Sequence, residues 1–116
     1  MITLEEFRDL SLALPETKEE PHFEKPSFRI KKKIFAVFNI KTGIATIKLS
    51  EKEQDLFSLA DKKNIYPVPN KWGKFGWTHV QLAEINKGLL NEALIAAYCE
   101  VATPNLAQQF IENLDI

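Results

Sequence analysis

Leu4, Phe7, Leu10 and Leu14 recur at helical spacing behind Thr3, which predicts a helix from about residue 4 to 14. Thr3 and Glu6 form a capping box, with Ile2 and Phe7 as the staple, and Pro15 stops the run. PETKEEPHFEKP (15–26) has three prolines and no apolar period, and reads as a loop. The period then changes to two. SFRI (27–30), IFAVFNI (34–40) and IATIKL (44–49) alternate or run apolar between turn signals, and read as three strands. A lysine run tips the first hairpin, and Lys41-Thr42-Gly43 turns the second.

Ser50 and Glu53 signal a second, short helix carrying Leu56, Leu59 and Ala60. IYPVP (65–69) reads as an edge strand, because Pro67 and Pro69 remove two ladder donors from one side. NKWGKFG (70–76) is a loop, and WTHVQL (77–82) alternates again. Asn86 caps a long helix with Leu90, Ala93, Leu94, Ala97 and Val101 on one stripe. Thr103 and Pro104 open a final short helix, from Leu106 to about Leu114.

Short links between strands favour antiparallel pairing, and the helical stripes need one sheet face to pack on. The expected fold is therefore α+β: a two-layer sandwich, with an antiparallel sheet of about five strands and helices on one face. The other face is partly open. The 116 residues fit a single domain, 1–116, able to bury its own core.

In WTHVQL the alternation sends Thr78, Val80 and Leu82 inward, and Trp77, His79 and Gln81 outward. Arg29 and Lys48 share the outward parity. Charge sharpens this picture. The net charge is −1 and the pI about 6.1, which alone argues against a nucleic-acid protein. Yet residues 25–48 hold seven cations and no acid, and residues 64–83 hold Lys71 and Lys74 and no acid. Residues 1–24 sum to −5 and residues 84–116 to −4. The fold would thus pair a basic sheet with an acidic helical layer, a field that attracts polyanions and weakens with salt. Lysines also keep strands soluble and block edge pairing, which accounts for Lys31 to Lys33 and Lys41 without any ligand.

Rings beside cations stack bases while the cations neutralise phosphates. The candidate DNA-binding residues are Arg29, Lys48, Lys71, Lys74, Trp77, His79 and Gln81. Trp72, between Lys71 and Gly73, fits either a loop anchor or an exposed contact, and the anchor is favoured. The same face offers two alternatives: a protein partner anchored on Trp77, or a small-molecule pocket lined by Trp72, Trp77 and His79.

FRIKKKIFAVF, ATIKLS and PVPNKWGKFGWTHVQL, followed by a helix ending near AYCEVATPNL, resemble the MmcQ/YjbR-like family in that order. The match runs from about Leu4 to Leu106, and its most specific element is W-G-x-x-G-W-T-x-V-x-L, at Trp72 to Leu82. The resemblance implies a frataxin/CyaY-like fold and a DNA-binding role without an established reaction. Relatives often have glycine where Lys32 stands, tyrosine where His79 stands and arginine where Gln81 stands, so this chain lacks one phosphate contact.

Catalytic chemistry finds little footing. His22 and His79 are far apart in sequence, and Cys99, the single cysteine, falls mid-helix without an activating neighbour. The acids of the first helix, with Glu16, Glu19 and Glu20, read as a solvated face rather than a metal ridge. Expected are no enzyme activity, no metal and no cofactor. With no disulfide framework, no signal peptide and no apolar run near the roughly 18 residues of a membrane span, the expected location is cytoplasmic.

Overall fold

A computed structural model of the chain describes residues 1–102. The elements are α1 (Leu4–Leu12), β1 (Thr17–His22), β2 (Lys25–Ile30), β3 (Lys33–Asn39), β4 (Ile44–Lys48), α2 (Glu51–Ala60), β5 (Ile65–Pro67), a 3₁₀ turn (Lys71–Phe75), β6 (Trp77–Gln81) and α3 (Lys87–Val101). The short helix expected after Thr103 lies outside the described residues.

The strands form one six-stranded sheet, ordered β1-β2-β3-β4-β6-β5, and every pairing is antiparallel. Among the described residues three helices pack on one face of this α+β fold, with α3 over β3 and β4. Among the described residues no helix is long and apolar enough to cross a membrane.

The expected caps form. The Thr3 hydroxyl accepts from Glu6 N–H at 3.1 Å, and the Glu6 carboxylate accepts from Thr3 N–H at 3.3 Å. Ile2 and Phe7 are both buried as the staple. The Ser50 hydroxyl accepts from Glu53 N–H, and the Asn86 amide oxygen accepts from Leu89 N–H. Phe7, Phe28 and Phe38 pack edge to face or tilted, with centroids 5.5 and 5.3 Å from the Phe7 ring. Leu90, Ala93, Leu94 and Ala97 of α3 are buried as the stripe requires, while Val101 is partly buried. Each large aliphatic side chain removed from water contributes about 1.5–3 kcal/mol. The Tyr98 hydroxyl, carried into the core by α3, donates to Pro15 O at 3.0 Å.

Three expectations need correction. Residues 15–26 are not a loop: β1 pairs with β2 from Thr17↔Ile30 to His22↔Lys25. Pro21 lies opposite Pro26 on the outermost strand, where a missing donor costs little. The inward side of β1 is held by charge rather than apolar burial. Arg8 of α1 makes a two-point contact with the Glu19 carboxylate, so alternation is absent from the sequence. The sheet therefore has six strands instead of about five. Second, Leu56 and Leu59 of α2 are exposed, and Gln54 is buried instead. The Gln54 amide donates to Gly73 O, Trp77 O and Thr78 Oγ1, within 3.0–3.2 Å, and these bonds fix which side of α2 faces the sheet. Third, residues 71–75 form a 3₁₀ turn rather than an irregular loop, with the Asn70 side chain accepting from Trp72 N–H at 2.9 Å.

Candidate functional site: the outer face of the sheet

Register decides what shares the helix-free face. Trp77, His79 and Gln81 of β6 lie opposite Lys48, Thr46 and Ile44 of β4. Thr46 lies opposite Val37 of β3, which lies opposite Ser27 of β2. Arg29 faces Ile34, with a bulge between Phe28 and Arg29, and Lys25 faces His22. Thr78 and Val80 are buried while Trp77, His79 and Gln81 are half-buried, so the alternation read from WTHVQL holds. By this parity the strands place Lys18, Lys25, Arg29 and Lys48 on the outer face, with Glu20 as the one acid. The helices behind carry Glu5, Glu6, Asp9, Glu51, Glu53, Asp55, Glu92 and Glu100. The charge segregation expected from the sequence is present.

A shallow hollow of about 330 Å³ lies in this face. Trp77, Trp72 and Val68 form one end, Val37, Ile34, Thr46 and His79 form its floor, and Lys25 and His22 close the other end. Among the described residues no carboxylate lines it. A second hollow of about 210 Å³ adjoins it and shares Lys25, Val37, Thr46 and His79.

The two glycines between the tryptophans build the aromatic end. A Cβ on Gly73 would sit 2.2 Å from Val68 O, so only glycine lets the 3₁₀ turn lie against the chain leaving β5. Gly76 has φ 98° and ψ 0°, and a Cβ there would sit 1.8 Å from Leu49 O. Leu49 N–H donates to Gly76 O at 2.9 Å, which ties the turn to the end of β4. The W-G-x-x-G-W spacing thus carries both indoles to the same end of the hollow. Trp72, expected as a loop anchor, is 51% exposed, because the close packing of this turn is done by glycine rather than by the indole. Its ring lies tilted against Phe75 at 6.0 Å, and Lys71 Nζ sits 5.3 Å from its centroid.

The remaining candidates differ in how free their polar atoms are. His79 Nδ1 shares a 3.0 Å hydrogen bond with Thr46 Oγ1, and its ring meets Tyr66 edge-on at 5.8 Å. Burial, and then the charge of Lys25, push the His79 pKa below its usual value. Gln81 donates to the Tyr66 hydroxyl at 2.8 Å. Arg29 donates to Ser27 Oγ and Pro21 O and lies 3.8 Å from the Glu20 carboxylate. Lys48 Nζ donates to Leu49 O at 3.1 Å. Arg29, Lys48 and Gln81 are therefore committed partly to their own scaffold. Among the described residues neither Lys71 nor Lys74, in the exposed turn, is bonded to an acid, but Lys74 lines a hollow with Glu51 and Asp55 of α2 and so lies away from the sheet-face hollow.

His22, Lys25 and Tyr66 were missed as site residues. His22 and His79, 57 positions apart in sequence, line one hollow because β1 joins the sheet. The signal was the pair His22/Lys25 flanking a two-residue turn, obscured by the prolines. Two imidazoles without a third ligand do not make a metal site, and among the described residues no group of three or more His, Cys, Asp or Glu side chains could hold an ion. Cys99 is half-buried on α3, and burial raises its pKa, which keeps it a poor nucleophile.

This architecture has solved counterparts. The crystal structure of Deinococcus radiodurans protein DR2400, a DUF419 domain, matches with a TM-score of 0.77 at 21% identity, covering 94% of this chain and 88% of that one. At that identity the likeness establishes the fold. No functionally curated protein matches the chain. The model of the YjbR family matches residues 12–100, which include β1 to β6 and nearly all of α3. The chain belongs to the YjbR family.

Proposed function

We propose that this chain is a non-catalytic, cytoplasmic binding module whose outer sheet face takes DNA or a similar polyanion, largely without sequence readout. One observation carries the reading: a hollow holding both tryptophans, two histidines and a lysine and, among the described residues, no carboxylate, on a face with one strand acid. Cations beside exposed rings are what a nucleic-acid surface requires. Lys25 in the hollow and Lys71 beside the Trp72 ring supply charge next to the rings, while Arg29 and Lys48 raise the local potential from fixed positions. Trp77 and His79 offer stacking faces, and Gln81 supports them through Tyr66.

Fluorescence anisotropy of labelled duplex and single-stranded DNA at about 50 and 200 mM salt tests this. Binding at the lower salt that weakens steeply at the higher supports it. Absence of binding to either DNA at the lower salt overturns it.

A second reading has its own observation. Trp72 and Phe75 present two adjoining, largely exposed rings outside the floor of the hollow, as a protein-docking anchor does. A partner held there stays bound at the higher salt and is lost on W72A, whereas charge reversal at Lys74 leaves it in place.

A further inference from the structure

Within the outer face, the hollow arranges its chemistry in an order that a merely basic surface does not need. Its indole end and its cationic end are set by register. Trp77 is paired with Lys48, His79 one outward position further along β6 is paired with Thr46, and Lys25 occupies the next outward row, on β2. Successive outward rows are roughly 7 Å apart along a strand, and β2 lies three strands from β6, about 14 Å across the sheet, so the long side chains at the two ends reach toward each other over the floor. The floor between the ends is apolar apart from Thr46 and His79. A volume of about 330 Å³ has room for one planar ring with an attached sugar, and none for a run of stacked bases.

A paired base cannot reach such a floor, because both its faces are covered by neighbours in the duplex. A ring that enters must already be unstacked, and its face then meets indole rather than water. The phosphate of the same nucleotide would reach past the floor toward Lys25 and His22, on the side of Lys25 turned away from Glu20 and Glu24, which line a separate hollow with it. Lys25 also lines the adjoining hollow with Asn39 and Thr42, so it stands where a strand would continue after its first phosphate.

We infer that the hollow is a single-nucleotide seat: it takes one unpaired base against Trp72 and Trp77, with the phosphate of that nucleotide on Lys25 and His22. The ligand class is a nucleoside monophosphate, either free or as an unpaired residue of a strand. This rests on the reading of the face as a nucleic-acid surface and narrows it to unpaired ligands.

The chain has only two tryptophans, both in the hollow, so their indole N–H signals in NMR report on it directly. The probes are thymidine, thymidine monophosphate, inorganic phosphate, an oligothymidylate of about eight residues and a blunt duplex, all at about 50 mM salt. The monophosphate should shift both indole signals and bind at least about tenfold more tightly than thymidine. The oligothymidylate should shift the same signals, and inorganic phosphate should not. K25M should cost about three- to tenfold in monophosphate affinity. W72A, at an exposed position that leaves the sheet intact, should cost about tenfold or more.

Two outcomes overturn the seat and are distinguishable. Duplex binding as tight as single-strand binding, with neither indole signal moving, removes the seat and leaves the general surface standing. Silence with every nucleic-acid probe removes both. If the monophosphate is silent while the oligothymidylate shifts both signals, the seat stands for strands and the free nucleotide is excluded as its source.

Discussion

Gly76 and Gly43 both have positive φ, at 98° and 70°, yet the structure assigns alanine very different consequences at the two sites. At Gly43 a Cβ meets nothing within 4 Å, so G43A pays only for the left-handed backbone, about 1 kcal/mol. At Gly76 the Cβ would lie 1.8 Å from Leu49 O and 2.9 Å from Leu49 C. Those are backbone atoms at the end of β4 and cannot rotate away. Relief requires parting the turn from β4, which breaks the bond from Leu49 N–H to Gly76 O and disturbs the bond from Thr78 Oγ1 to the same carbonyl. Adding about 1 kcal/mol for each of the two hydrogen bonds to the backbone term gives about 3 kcal/mol for G76A. With a urea slope of about 1.5 kcal/mol per molar, the G76A midpoint falls about 2 M and the G43A midpoint less than about 1 M. Urea denaturation followed by tryptophan fluorescence reads both variants, because Trp77 adjoins Gly76. If G76A unfolds within about 1 kcal/mol of G43A, the tight packing of the turn against β4 is wrong, and so is the explanation of the glycine spacing.

Gln54→Ala should destabilise by about 2–3 kcal/mol in the same assay; Gly73 O and Trp77 O keep one backbone donor each, so a loss above about 5 kcal/mol would contradict the contacts described. His79 has a folded-state pKa below its unfolded value, so the native state binds fewer protons between the two, and stability from this site falls as pH drops through about 6.5 and below. Urea midpoints at about pH 7.5 and 5 should therefore differ less in His79→Gln than in the parent, and an unchanged difference would refute the assignment. Lys31 holds φ 58° in the first lysine turn, so Lys31→Gly relieves about 1–2 kcal/mol of backbone strain against roughly 0.4–1 kcal/mol of added unfolded-chain entropy. The midpoint should rise slightly; a clear fall would show that the lysine side chain itself supports the turn.

Much of this fold was legible because periodicity and caps agreed. Thr3, Ser50 and Asn86 each announced a helix, and Trp77 to Gln81 alternated without interruption. Trp77 and His79 were placed on the outer face by that parity alone, whereas Trp72, in the turn, was not. What the sequence concealed was held by interactions that leave no period. β1 is secured by Arg8 to Glu19 and by pairing with β2, so its residues look like a polar, proline-rich link. The inward side of α2 is set by three bonds from one glutamine, which outweigh the preference of Leu56 and Leu59 for burial. Missing β1 meant missing His22, and with it half of the polar end of the hollow. The lysine turn departs from the glycine expected of relatives, and its cost falls on Lys31 rather than on Lys32.

The separation of cations on the sheet from carboxylates on the helices gives the molecule a strong electric dipole across its two layers, which a net charge of −1 conceals. The same dipole acts between copies of the chain: the negative back of one molecule attracts the basic sheet of the next, so opposite faces favour head-to-tail contact that salt weakens.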